Sequence, residues 1–363
     1  MFTGPGRHAF SLCRITSTRL ALVGVAGVLA IGGCQAFDKP DAKAPKPTIA
    51  DRTVFDPRPT TVNTPEEISS ALISLNNGET LRSQGLANQA LIAFERAIAE
   101  NPKLVPAYMQ AGDIYRERGD HSSAQQRYAQ AAEIDPTNFS AHYNNGLMLQ
   151  LLDRISESVV AYIRALRLSP DDFKANMNLA TAYLQLKEPD KAVPYAEHAV
   201  EIDGRNAPAR VNLGVIYSQL ARYDQAILEY QQAAELTPLT PTLLMNMAQS
   251  LSGAKRYEEM ANTLEQLIRE EPSAGAYERL GYARFKLGEM DAAETAFGQA
   301  TKIDENYTPA LNGLGVVSLN RWIKGQYADD AMWRKGTDLL RRSLEIDRNQ
   351  PLIVELLTRY QQQ

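Results

Sequence analysis

A small residue returns every 34 positions along most of this chain: Gly78, Gly112, Gly146, Ala180, Gly214 and Ala248, then Gly281 and Gly315 at nearly the same interval. A second one follows at Ala90, Ala124, Ser158, Ala192 and Ala226, with Met260 and Ala293 in the next units. A bulky residue comes next (Phe94, Tyr128, Tyr162, Tyr230, Leu264, Phe297, but Ala196 in the fourth unit), then another small one (Ala97, Ala131, Ala165, Ala199, Ala233, Ala300, but Leu267 in the sixth). Units close at Pro102, Pro136, Pro170, Pro238 or Pro272, with Gly204 and Glu305 in the other two. A repeat this strict excludes a fold with one centre, because each copy buries its apolar face on its neighbours.

Inside the clearest copy, 207–238, Val211, Leu213, Gly214, Tyr217 and Leu220 stand at helical spacing. A polar break at Arg222–Asp224 precedes Ala226, Ile227, Tyr230 and Ala233, which do the same until Pro238. The unit is a helical hairpin. Two antiparallel helices approach closely only where both carry small side chains, and the ring is expected to fill the wedge against the next hairpin. Proline ends the second helix, having no amide hydrogen and turning its predecessor away from helix.

Leu213, Gly214, Tyr217, Ala226, Tyr230, Ala233 and Pro238 together resemble the tetratricopeptide repeat family, and the resemblance covers residues 71–350. It implies an all-α, right-handed α-solenoid of about eight hairpins acting as a noncatalytic protein-binding scaffold. The repeats are expected to begin near Ala71, Val105, Phe139, Phe173, Ala207, Pro241, Ala274 and Thr308. The fourth, with Pro189, Pro194 and Ala196, predicts a bend or softer joint.

Residues 1–33 read as an export signal: Arg7, Arg14 and Arg19, then the apolar run Leu20–Ile31, too short to span a bilayer as a helix of about 20 residues. Ile31-Gly32-Gly33-Cys34 resembles a bacterial lipoprotein lipobox, which implies that Cys34 is diacylated and becomes the first residue. The other cysteine, Cys13, lies inside the signal, so no internal disulfide forms in the exported chain. Gln35 after the cysteine implies, by the enterobacterial sorting pattern, the periplasmic face of the outer membrane.

Residues 34–63 are rich in proline and poor in apolar material, a disordered tether reaching on the order of 30 Å and up to ~100 Å when stretched. Thr64, Pro65 and Glu67 form a capping box opening the helical array, which runs to 350. Its eighth unit carries about nine extra residues within 321–336, together with Trp322 and Trp333, a lengthened helix or a second contact surface. Residues 351–363 read as a capping helix.

No catalytic constellation, metal-ligand spacing or cofactor motif stands out. His121, His142 and His198 are isolated in separate repeats, and acid pairs such as Glu258-Glu259 fit a solvated helix face. The chain is therefore expected not to be an enzyme, to take no cofactor, metal or small-molecule substrate, and, at net charge −5 without a basic stripe, to bind no nucleic acid.

The informative residues lie in the first helices. Two positions before each small residue stand Asn76, Gln110, Asn144, Asn178, Asn212 and Asn246, a ladder interrupted by Arg279 and Gly313. Carboxamides at that spacing suit the peptide groups of an extended chain, and they are similar to the asparagine ladder of O-GlcNAc transferases. Beside them runs a second stripe, Leu75, Met109, Tyr143, Met177, Val211 and Met245, adaptable apolar groove or core. Neighbouring Leu147, Gln150, Thr181, Leu184, Val215, Ser218, Gln249 and Ser252 carry no charge, and the lysine–asparagine clamp for a terminal carboxylate has no counterpart.

The expected function is a lipid-anchored envelope scaffold holding an extended, weakly charged segment of a protein partner. Two alternatives are a pilotin-like or chaperone-type assembly factor for an outer-membrane or secretion complex, and the substrate-recruiting subunit of a separate envelope enzyme.

Overall fold

The computed structural model describes residues 21–22, 29–30 and 65–361. Cys34, the rest of the lipobox and the tether lie outside the described residues. A two-residue antiparallel ladder, β1 (Ala21–Leu22) with β2 (Leu29–Ala30), is followed by helices alone. They are α1 (Pro65–Ser83), α2 (Ala87–Glu100), α3 (Val105–Glu117), α4 (His121–Ile134), α5 (Phe139–Leu151), α6 (Ile155–Leu168), α7 (Phe173–Gln185) and α8 (Pro189–Ile202). Then come α9 (Ala207–Gln219), α10 (Tyr223–Leu236), α11 (Pro241–Gly253), α12 (Tyr257–Glu270), α13 (Ala274–Leu287), α14 (Met290–Ile303), α15 (Thr308–Lys324), α16 (Asp330–Ile346) and α17 (Pro351–Gln361). Each odd helix up to α15 pairs with the next even one, an all-α solenoid of hairpins. The chain divides between Asp203 and Gly204, at the end of the fourth repeat, into two compact units.

Local signals place the first helices. The Asn138, Asp172 and Asn206 side chains accept from the amides of Ala141, Ala175 and Ala209, as N-caps do. The turn inside each hairpin needs one left-handed residue. It is Gly85, Gly119 or Gly288 in three hairpins, whereas Asp153, Lys187, Ala221 and Lys255 take φ near 60° in four more, and the eighth uses two, Gln326 and Tyr327.

The ring reaches the next hairpin as expected, Phe94 clustering with Ala107, Ala111 and Ile114 of α3 and Tyr128 with Met148 of α5, and it also fills its own hairpin. A Cβ added to Gly214 would meet the Tyr230 ring at 2.5 Å, and one on Gly146 the Tyr162 ring at 2.8 Å, so the bulky residue packs on the glycine of its own hairpin. Where that glycine is Ala180 or Ala248, the residue sixteen positions on is Ala196 or Leu264 instead of a ring. The landmarks are coupled pairs, each hairpin fixing the volume between its two helices. Phe297 also reaches the following hairpin, where a Cβ on Gly313 would come within 2.5 Å of the ring; that contact removes the carboxamide from the eighth unit.

The extra residues of the eighth unit lengthen α15 and α16 to 17 residues each, and the register resumes at Gly336 and Leu340. Leu340 lies against Gly315 as the rings do elsewhere, and a Cβ on Gly336 would meet the Gly315 carbonyl at 3.0 Å. Both indoles turn inward. Trp322 is 6% exposed, edge-on to Tyr360, and Trp333 donates Nε1–H to the Tyr360 carbonyl at 2.9 Å. With Leu356 and Leu357 they bind α17 over the last hairpin, so packing occupies the residues that a second contact surface would need.

Pro194 lies inside α8, where it supplies no N–H for Asp190 and its ring crowds that carbonyl. Its side chain is exposed. Pro194→Ala is expected to stabilise the first unit by about 2 kcal/mol, read as slower amide exchange across α7 and α8.

Candidate interaction face

Successive first helices meet within each unit, α5 with α7, α9 with α11 and α13 with α15. Several of their contacts are polar bridges spanning roughly one repeat. In the first unit Asn178 donates Nδ2–H to the Tyr143 hydroxyl at 3.1 Å, and Gln150 donates to Gln185 Oε1 at 2.8 Å while accepting from the Tyr162 hydroxyl at 2.9 Å. Arg82 donates to Gln110 and pairs with Asp113 at 3.4 Å and Glu117 at 2.5 Å. The Tyr128 hydroxyl donates to Asp113 Oδ1 at 2.8 Å and accepts from Arg116 Nε at 3.3 Å. Burial and the Asp113 carboxylate push the Tyr128 hydroxyl well above the ordinary tyrosine range.

These bridges divide the carboxamide ladder. Asn76 is exposed, Gln110 accepts from Arg82, and Asn178 is spent on Tyr143. Asn144 alone is half-buried with no hydrogen bond to its side chain among the described residues. In the second unit both members are interior: Asn212 is 7% exposed and engaged within the chain, and Asn246 is 6% exposed with its Nδ2 unpaired. Three of these carboxamides, Gln110, Asn178 and Asn212, are therefore engaged within the chain. Arg279 occupies the next ladder position and donates to Gln249 at 2.6 Å, continuing the bridging pattern with a different side chain.

The second stripe is mixed. Leu75 and Met177 are buried, whereas Met109, Tyr143, Val211 and Met245 are half-buried. Tyr143 stacks on Phe139 at 5.9 Å and tilts against Tyr162 at 6.0 Å, giving α5 an aromatic border next to Asn144. Glu278 takes the stripe position in α13. It is 2% exposed, and burial pushes its carboxyl up to about 7 although Arg279 beside it pulls the other way.

Charge is segregated within the first unit. Arg82, Asp113, Arg116 and Glu117 mark the first two repeats, and Tyr143, Asn144, Leu147, Gln150, Met177, Asn178, Thr181 and Leu184 the next two. The bridging role of Arg82, Gln150 and Gln185 was missed by sequence reasoning. The available signal was their own one-repeat spacing of long polar side chains.

Family models agree with this geometry. One described as TPR repeat matches residues 112–153, and two described as tetratricopeptide repeat match 171–238 and 245–307. The fold is a tetratricopeptide-repeat solenoid. A chain of such repeats is a protein-interaction scaffold.

Similar solved structures include a tetratricopeptide repeat protein from Parabacteroides merdae, 17% identical, covering 69% of this chain and 99% of that one at a TM-score of 0.47. Pseudomonas aeruginosa pilF is 19% identical over 59% and 97%, with a TM-score of 0.46. YrrB, described as a TPR protein with an unusual peptide-binding site, is 20% identical over 60% and 96%, with a TM-score of 0.39. No curated protein matches the sequence. Among the described residues no helix is long and apolar enough to cross a membrane, and no group of His, Cys, Asp and Glu is set to hold a metal ion.

Proposed function

We propose that this scaffold is noncatalytic, is held in the bacterial envelope by a lipid on Cys34, and takes an extended, weakly charged segment of a partner protein along its first helices. The support is Asn144. It offers two donors and an acceptor beside Tyr143 and Leu147, on the part of the first unit where the neighbouring Leu147, Gln150, Thr181 and Leu184 carry no charge. A peptide backbone satisfies such a group without its side chains being read.

The carboxamides divide into two experimental classes. Asn144→Ala is expected to leave melting unchanged and to weaken binding of a partner recovered from solubilised membranes by about 0.5–1.5 kcal/mol. Asn178→Ala breaks the bond to Tyr143 and is expected to lower stability instead. Unchanged affinity in Asn144→Ala would end the groove reading. The anchor is tested separately: Cys34→Ser is expected to leave the uncleaved precursor and abolish incorporation of labelled palmitate, and retained label would place the lipid elsewhere.

A further inference from the structure

The turn inside the eighth hairpin departs from those of the other seven. In those, one left-handed residue is followed by a residue of negative φ whose amide donates to the carbonyl five positions back. Arg154 reaches Leu149 in this way at φ −89°, Arg222 reaches Tyr217 at φ −85° and Glu289 reaches Arg284 at φ −84°. Tyr327 makes the same bond to the Trp322 carbonyl at 3.0 Å, but its own φ is 64° and that of Gln326 before it is 56°. No other two adjacent non-glycine residues among those described are left-handed. Gly325, which takes that conformation without strain, stands at φ −79° instead.

The second left-handed residue brings a ring onto the end of α15. Tyr327 lies edge-on to Trp322, with centroids 4.7 Å apart, and is 50% exposed, while Tyr360 of α17 is edge-on to the same indole at 5.9 Å. This arrangement carries two unfavourable features. A bulky residue at positive φ is strained and persists only where its surroundings hold it. The Trp322 Nε1–H is also buried without an acceptor, whereas the same group of Trp333 is bonded to the Tyr360 carbonyl. Against both stands the ring contact.

We propose that Gln326 and Tyr327 form a latch on Trp322, which opens while α15, α16 and α17 stay folded. Lifting Tyr327 lets both residues return to negative φ and brings the indole N–H to water, so strain and the missing hydrogen bond favour opening while the ring contact favours closing. Open, the turn presents an aromatic hydrogen-bond donor beside α17 that the closed solenoid does not offer.

The test is hydrogen exchange of the two indole N–H groups in the full chain, labelled at tryptophan nitrogen and followed by NMR. Trp322 Nε1–H is expected to exchange about a hundredfold faster than the backbone amides of Val317 and Leu340, core residues of α15 and α16, because the turn opens without the helices. Gln326→Gly relieves one left-handed residue and keeps the ring, and is expected to slow that exchange about tenfold. Tyr327→Ala is expected to speed it about fivefold. Trp333 Nε1–H is the control and is expected to stay slow in both variants. Exchange of Trp322 in step with Val317 and Leu340 overturns the proposal, as does Gln326→Gly failing to slow it or Tyr327→Ala failing to speed it. Loss of Trp333 protection together with that of Trp322 overturns it too, since α17 would then have come away instead of the turn.

Discussion

Replacing Tyr230 by alanine is expected to cost about 3–5 kcal/mol and to lower the urea midpoint of the second unit, followed by amide exchange in α9 and α10. The ring is 0% exposed and lies on Gly214, where even one added carbon would come within 2.5 Å of it. Nothing else fills that volume, so truncation leaves a cavity between the two helices. The converse change tests the pairing itself. Ala196→Tyr alone is expected to destabilise the fourth hairpin by about 1–3 kcal/mol, because Ala180 stands where the other ring-bearing hairpins have glycine. Adding Ala180→Gly is expected to recover most of that loss. Equal destabilisation in the double variant would show that ring and glycine are not a coupled pair.

Glu278→Gln is expected to raise stability at pH 8 by up to about 3 kcal/mol while changing little at pH 4. In the native chain burial holds this carboxyl near 7, against 4.5 for a free one. The folded state therefore keeps a proton that the unfolded state has already lost. As pH rises from 4.5 through 7 unfolding gains progressively, and the loss levels off above 7 at about 2.5 pH units times ~1.4 kcal/mol. Glutamine removes the ionisation and hence the slope. His198 tilts the same way, since its bonds to Glu201 and Asp171 raise its pKa and that stabilisation fades as pH rises past it. The difference between variant and parent, measured by denaturation from pH 4 to 8, isolates Glu278. Parallel profiles would mean that its carboxyl is not held protonated by burial.

Some of the candidate face was legible in residue type and some was not. The uncharged run of Leu147, Gln150, Thr181 and Leu184 follows from sequence alone, because charge does not depend on packing. Which carboxamide stays available does depend on it. Asn144 and Asn178 occupy the same place in adjacent repeats, yet one is spent on Tyr143 and the other is open. The partner that decides this stands 35 residues away and is not constrained by the repeat consensus.

The sequence by itself determined the hairpin and its multiplication. Helical spacing, caps such as Asn138 and Asp172, and terminal prolines act within a few residues, so they can be read locally. The 34-residue period then requires each hairpin to cover the next. Tertiary structure alone decided what each landmark touches: Tyr230 on its own Gly214, Leu340 taking the ring's place in the lengthened eighth hairpin, and the indoles turned onto α17. It also decided that Glu278 is buried although its position in the stripe is half-exposed in several other repeats. The reason is physical: periodicity specifies where a side chain leaves the backbone, and volume and hydrogen-bond partners in the neighbouring helix specify where it ends.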